Sequence, residues 1–357
     1  MLRQQERIRE TTVTSTGRRR TRPSIGDVAT LAGVSLGTVS NVLNHPSRVA
    51  AATADKVVRA MSMLDYVPDG VARSLAAGSS RTIGIVLPDL SNSLFVDVAR
   101  GAEAAAEAAD HTLMIANSDT RLEREARYLR TFGQARVAGV LLALNDEEHY
   151  AAVAGEAPRT APTVMLNLAV PASRSCSVSV DNQQGGRLAT AHLADTGRRR
   201  LVFVGGPEAL EPVRHRAQGF EQVVRERGVE HVRTISPAGV NRADGWEVGG
   251  ALVDDVRSGR VDGIVAATDL LAAGILHAFS TSGVEAGVDV GVVGYDNNQA
   301  AWDSPIPITT VAQPGEEMGR LGAELVLEEA GREVEHHHRS VVLEPSLVVR
   351  ASTAPPR

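Results

Sequence analysis

Residues 24–44, SIGDVATLAGVSLGTVSNVLN, carry two short helical patterns separated by a Gly-containing turn, the layout of a DNA-reading helix-turn-helix. Ser24 stands where its hydroxyl caps the free amides of an opening turn, and Asp27 sets a carboxylate at the positive end of the helix dipole. Ile25, Val28, Ala29 and Ala32 recur at helical spacing on one face. Gly33 ends this helix in a left-handed conformation that costs it little, and Ser35 is placed to cap the next. In the second helix Val39, Val42 and Leu43 turn inward with Val34, which leaves Leu36, Gly37, Thr38, Ser40 and Asn41 outside. That outer face is small and uncharged, so it can approach base edges closely, and an asparagine can make two hydrogen bonds to adenine. A solvated helix in a plain helical hairpin is the alternative at this point.

Working outward, a third helix is expected from Thr53 to about Asp65, with Val57, Ala60, Met61 and Leu64 buried and Lys56 and Arg59 outside. Pro68 then imposes extended backbone, Asp69 can cap, and Val71 to Ala76 make a brief helix stopped by Gly78. A helix this short lies well below the roughly 12 to 15 residues that are marginal in water, so it orders only with a partner.

Beyond Arg81 the pattern changes. The runs TIGIVLP, HTLMIAN, VAGVLLAL, PTVMLN, RLVFVGG, VDGIVAA and VDVGVVGY are nearly continuous in apolar residues, as parallel strands covered on both faces should be. Helical patterns alternate with them at Leu94–Ala109, Leu122–Gln134, Gly185–Thr196, His215–Gly228, Ala243–Ser258 and Leu270–Ser282. The fold class is therefore an all-α helix-turn-helix domain followed by an α/β core with parallel sheets.

Charge divides the chain the same way. Residues 1–80 carry 11 basic against 6 acidic side chains, whereas residues 81–357 carry 26 against 37, so a cationic module precedes an acidic body within a net charge of −6. Such a module docks on phosphate, with affinity falling steeply as salt rises. Met1 to Pro23 is Arg-rich, with Arg18, Arg19, Arg20 and Arg22, and lacks hydrophobic periodicity, so a disordered basic tail is expected. Cys176 is the sole cysteine, which excludes an internal disulfide framework. With no run long enough to span a bilayer and no apolar signal core, a cytoplasmic protein without membrane contact is expected. His336, His337 and His338 look metal-like, but GREVEHHHRS is polar and shows no partner pattern. A solvated loop is expected there, with no metal and no cofactor.

GDVATLAGVSLGTVSNVLN, LDYVP, VARSLAAG, RTIGIVLPDLSNSLF, VVGYDNN and ITTVAQP occur in that order, and through them the chain resembles the LacI/GalR family of transcriptional regulators from about Ser24 to Thr353. The resemblance implies a DNA contact surface of Ser24, Ser35, Leu36, Gly37, Thr38, Ser40, Asn41 and Asn44. It also implies a hinge helix with Val71, Ala72, Leu75 and Ala76, in which Leu75 wedges into the minor groove. Two residues depart from the common pattern: Asn41, where many members carry Arg, and Asp69, where Asn is frequent. The body would be two lobes of periplasmic-binding-protein type, crossed near Val180 and Thr310, with a final return at about Ser340 to Val349. The expected division is a tail (1–23), helix-turn-helix domain (24–69), hinge and linker (70–80), core (81–350) and tail (351–357). Within the core, lobe 1 takes about 81–179 and 311–339, and lobe 2 about 180–310 and 340–350.

Ligands of open α/β sheets collect beyond the carboxyl ends of strands, and a two-lobed body places that crevice between its lobes. The ligand-binding residues expected there are Asn92, Phe95, Arg216, Thr268, Asp269 and Asp296, with Asp89 and Ser91 close by. Carboxylates and a guanidinium can hold a hydroxyl-rich ligand by charge-assisted hydrogen bonds while a ring covers its apolar side. Likeness to sugar-responsive members supports Arg216 and Asp296 above the others, and Asn297 and Trp302 are rim candidates. Each has a plainer reading: Arg216 paired with a helix acid, Asp269 as a cap, Phe95 as lobe core. The resemblance implies a repressor that binds a pseudo-palindromic operator duplex as a homodimer, controlled by a small-molecule effector. A sugar is favoured and a purine is the alternative. A transport-type sugar receptor would need export and no helix-turn-helix. An enzyme is disfavoured because no Gly-rich phosphate fingerprint and no nucleophile with its base can be assembled.

Overall fold

Reciprocal capping starts the first helix. In α1 (Ile25–Ala32) the Ser24 hydroxyl accepts from the Asp27 amide at 3.3 Å while the Asp27 carboxylate accepts from the Ser24 amide at 2.7 Å. Gly33 closes the helix with φ 67°, and the Ser35 hydroxyl accepts from the Thr38 amide at 3.1 Å to open α2 (Leu36–Asn44). The third helix, α3 (Ala51–Met63), begins two residues before Thr53, at an Ala50 that makes no side-chain cap bond. Val28, Ala29, Val39, Val57 and Ala60 form the shared core, edged by Ile25, Val34, Val42, Leu43 and Leu64.

This computed structural model describes residues 23–44, 46–66, 80–331 and 336–353. The chain divides into two units, residues 1–77 and 78–357. The expected tail through residue 22 and the hinge residues Val71, Ala72, Leu75 and Ala76 lie outside the described residues.

In the second unit, short apolar runs form two six-stranded sheets among the described residues. The first is built from β1 (Thr82–Leu87), β2 (Thr112–Asn117), β3 (Gly139–Ala143), β4 (Thr163–Leu166) and β5 (Ser177–Val180). The second holds β6 (Arg200–Val204), β7 (Glu230–Ile235), β8 (Gly263–Ala266), β9 (Gly291–Asp296) and β10 (Thr309–Ala312). Each gains a strand from the C-terminal stretch, β11 (Ser340–Leu343) beside β5 and β12 (Ser346–Val348) beside β10. The orders are β11-β5-β4-β3-β1-β2 and β12-β10-β9-β8-β6-β7, parallel throughout except for antiparallel β12. The first sheet is covered by α4 (Ser93–Ala108), α5 (Leu122–Gln134), α6 (Glu147–Val153) and α12 (Gly315–Ala330). The second carries α7 (Asn182–Asp195), α8 (Glu211–Arg227), α9 (Arg242–Arg257), α10 (Asp269–Ser282) and α11 (Gln299–Asp303).

Three expectations change. The return at Ser340 to Val349 is not one segment of the second lobe: Ser340–Leu343 extends the first sheet, and the chain crosses only between Leu343 and Ser346. The expected tail does not begin at 351: Ser352 and Thr353 are buried, and Ser352 Oγ donates to the Val292 carbonyl at 2.6 Å. HTLMIAN is not covered on both faces, since β2 is an edge strand whose Met114 and Ile115 are exposed. The other runs behave as expected, with β1, β3, β8 and β9 buried almost throughout.

The three crossings lie side by side. Val180, which leaves the first lobe, pairs with Leu343, and Ala312, which leaves the second, pairs with Ser346.

Candidate functional site

The carboxyl ends of both sheets open on one cleft of about 480 Å³, with Asn92 and Phe95 on one side and Arg216, Thr268 and Asp296 on the other. Arg216 is placed by a close helix crossing. A Cβ on Gly186 of α7 would stand 2.1 Å from the Arg216 carbonyl oxygen, and one on Gly219 of α8 would stand 2.0 Å from that of Gln183, so neither position admits a larger residue without moving a helix. The crossing lets Arg216 Nε donate to Asn182 Oδ1 at 2.8 Å and Nη1 to the Ala267 carbonyl at 2.5 Å. Its guanidinium lies over the Tyr295 ring, 3.7 Å from the centroid, and 3.7 Å from Asp296 Oδ1.

Asp296 ends β9 with φ 110°, outside the region most side chains adopt. Its carboxylate accepts from Asn92 Nδ2 at 2.9 Å and from Gln313 Nε2 at 2.7 Å. Burial pushes its pKa up, against the nearby Arg216 and these two donors. Burial also raises the Tyr295 phenol, up to about 12.

Asn92 is a latch between the lobes. It caps α4 through the Leu94 amide at 3.1 Å, donates to Asp296 and accepts from Asn298 Nδ2 at 2.9 Å. The Gln299 amide donates to Ser93 Oγ at 2.8 Å close by, and farther along the cleft the Glu211 amide donates to the Asn145 carbonyl at 2.9 Å.

The remaining candidates sort differently. Thr268 lines the cleft, donates to the Val240 carbonyl at 3.0 Å and caps α10. Phe95 belongs to the first lobe's core, its plainer reading, and also lines the cleft. Asp269 is not part of the cleft wall: as the first residue of α10 it turns inward and accepts from the Asn298 amide at 2.9 Å. Burial, then the neighbouring Asp296, holds its carboxyl well above the usual range. Asn297 and Trp302 also stand away from the cleft wall, both occupied by Arg350: Asn297 Oδ1 accepts from its Nη2 at 2.6 Å, and the Trp302 ring lies under its guanidinium.

Among the cleft residues that escaped the sequence reading are three amides at strand ends. Asn145 and Asn167 follow β3 and β4, and Gln313 follows β10. Asn167 has φ 67° and donates to Asn145 Oδ1 at 2.8 Å. Among the described residues its own Oδ1, and Oε1 of Gln313, are buried without a hydrogen-bond partner. The signal was available, since each is the first polar residue after an apolar run.

In the N-terminal unit the outer face of α2 is uncharged, as expected. Leu36 is 55% exposed, Gly37 and Asn41 are exposed, and Thr38 and Ser40 are half-buried, with Thr38 Oγ1 2.9 Å from Ser35 Oγ. Ser24 sits exposed ahead of α1, its hydroxyl donating to Asp27 at 2.8 Å, and Asn44 ends α2. The solvated loop expected at His336–His338 is only partly solvated. His337 is exposed, but the His336 side chain is 6% exposed and its Nε2 lies 3.2 Å from Cys176 Sγ. Among the described residues, no helix is long and apolar enough to cross a membrane.

Two family profiles match the chain: "Bacterial regulatory proteins, lacI family" at residues 24–69 and "Periplasmic binding protein-like domain" at residues 190–353. The ribose operon repressor of Bacillus subtilis is 33% identical over 306 residues, 85% of this chain and 90% of that protein. The HTH-type transcriptional repressor PurR of Photobacterium profundum is 30% identical over 331 residues, 92% of this chain and 98% of that protein. A solved structure of the Lac repressor dimer bound to operator and the anti-inducer ONPF superposes with a TM-score of 0.80 at 25% identity, covering 94% of this chain and all of that one. One chain thus carries a helix-turn-helix and a body of paired parallel sheets with a cleft, and it belongs to the LacI family of bacterial regulatory proteins, DNA-binding transcriptional regulators governed by a small-molecule effector.

Proposed function

We propose that this regulator represses transcription as a homodimer on a pseudo-palindromic operator, and that a hydroxyl-rich sugar in the cleft sets its grip on DNA. The observation that supports the choice of ligand is the set of amide side chains, Asn145, Asn167 and Gln313, that line the cleft beside its charged groups. Amides both donate and accept, as hydroxyls do, so a hydroxyl-rich ligand matches this lining. Arg216, Asp296 and Thr268 supply the remaining polar wall, and Phe95 the apolar one. A purine stacked on Phe95 is the competing occupant.

In this reading residues 24–69 read DNA through Ser24, Ser35, Leu36, Gly37, Thr38, Ser40, Asn41 and Asn44. Residues 70–80 fold into a hinge when two copies meet on the duplex, with Leu75 inserted between base steps and Val71, Ala72 and Ala76 beside it. The core (81–350) senses the ligand, and the protein works in the cytoplasm, where its operator lies. Exposed Met114 and Ile115 on β2, and Trp246 packed on His277 between α9 and α10, support a dimer face on each lobe. A ligand that favours one lobe closure shifts the DNA-competent population by its differential affinity, typically about 1–3 kcal/mol.

Selection of genomic fragments bound by the full-length protein tests this reading, followed by operator titration with a panel of sugars and purines. An inverted repeat whose affinity changes with a sugar is expected. Equal affinity for random DNA, across salt concentrations and ligands, overturns it. A response to purines alone moves the effector to the competing class.

A further inference from the structure

We propose that Cys176, Glu329 and His336 form a binding site for a thiophilic divalent metal ion of the zinc class, on the first lobe and apart from the cleft. Three segments meet there: Cys176 immediately precedes β5, Glu329 lies in the last turn of α12, and His336 precedes β11. One ligand atom from each falls within 4.8 Å of the others. His336 Nε2 is 3.2 Å from Cys176 Sγ and 3.8 Å from Glu329 Oε2. Around a tetrahedral ion with Zn–S near 2.3 Å and Zn–N or Zn–O near 2.0 Å, ligand atoms stand about 3.3–3.6 Å apart, so these separations straddle the tetrahedral edge.

Three further observations point to an ion rather than to a simple thiol–imidazole hydrogen bond. Glu329 Oε2 is buried with no hydrogen-bond partner among the described residues, and a bound cation is the partner it lacks. The Arg339 amide donates to Cys176 Sγ at 3.3 Å, the kind of outer contact that supports a metal thiolate. His338 lies with its ring 5.5 Å from that of His336 and Nε2 3.6 Å from Glu329 Oε1, within reach of a fourth position. A thiolate and a carboxylate together neutralise a dication, and the sulfur selects zinc-like ions over magnesium or calcium. Binding replaces the Cys176 S–H proton, which passes to solvent as the metal–sulfur bond forms.

The test uses the full chain stripped with a chelator, then titrated with Zn²⁺ by calorimetry and with Co²⁺ by absorption. One equivalent per chain is expected, with a thiolate-to-cobalt charge-transfer band in the near ultraviolet. Loss of an outer partner already weakens metal sites about 10- to 100-fold, so Cys176→Ser, Glu329→Gln and His336→Gln should each exceed that, with the band absent in Cys176→Ser. Because Cys176 is fully buried, Glu329→Gln and His336→Gln carry the test if Cys176→Ser does not fold. The exposed neighbour His337→Gln should bind within about twofold of wild type. No stoichiometric binding by the wild type, a cobalt band that persists in Cys176→Ser, or equal losses in His337→Gln and His336→Gln would each overturn the site, the last revealing a histidine run that chelates without sulfur.

Discussion

Replacing Arg216 by Met keeps most of the side-chain stem and removes the guanidinium. Two buried acceptors, Asn182 Oδ1 and the Ala267 carbonyl, then lose their donors, at about 1–3 kcal/mol each. The contact over Tyr295 goes as well, worth on the order of 1–2 kcal/mol for a desolvated pair. Asp296 loses its cation, a change that costs about 3–5 kcal/mol in a buried pair, toward the lower end here because Asn92 and Gln313 still donate to it. These losses share neighbours and do not add in full, so the expected total is about 5 kcal/mol, a large part of the roughly 5–15 kcal/mol that holds a typical protein folded. Adding Asp296→Asn removes the stranded charge, and Gln313 can turn its unpartnered oxygen toward the new amide. The double variant should therefore recover about 2 kcal/mol, half the cost assigned to the broken pair. Urea unfolding followed by tryptophan fluorescence measures this directly, because the two tryptophans of the chain, Trp246 and Trp302, both lie in the second lobe. A loss below about 1 kcal/mol for Arg216→Met, or a double variant less stable than the single, refutes Arg216 as the anchor of that wall.

Leu75→Ala should weaken operator binding by about tenfold or more, ~1.4 kcal/mol, with the unfolding transition unchanged; gel-shift titration of the selected operator decides it. Met114→Asp with Ile115→Asp should yield monomers by sedimentation at micromolar concentration, and an intact dimer there would move the interface away from β2. Asp269, raised by burial and by Asp296, binds more protons folded than unfolded. Stability therefore falls as pH rises from about 4, the ordinary carboxylate range, until the folded group ionises. Asp269→Asn should flatten that decline and gain on wild type with rising pH; parallel curves would show that Asp269 does not carry it.

The helix-turn-helix was legible because its determinants are local: Ser24 with Asp27, Gly33, and Ser35 with Thr38 all act within four residues. The cleft was legible in part, through the rule that ligands gather where strands end, which located Asn92, Thr268 and Asp296. Asn145 and Asn167 obey the same rule but resemble ordinary turn residues. Asp269 was misplaced because it adjoins Thr268 in sequence, yet successive residues entering a helix point in different directions. His336 shows the harder limit. Its polar neighbours spoke for solvent, and what buries it is a cysteine 160 positions away. Edge strands were hard to read for a related reason: EHVRTI in β7 is largely exposed and has little apolar pattern to detect.

The side-by-side crossings after Val180, Ala312 and Leu343 have a mechanical consequence. Three adjacent connections resist sliding and twisting of one lobe against the other, and leave a single soft degree of freedom, rotation about the line they share. Whatever molecule enters the cleft can report itself only as a displacement along that coordinate. Chemically unlike ligands that stop the rotation at the same point would be indistinguishable to the DNA, and one that binds tightly without changing the stop would be silent.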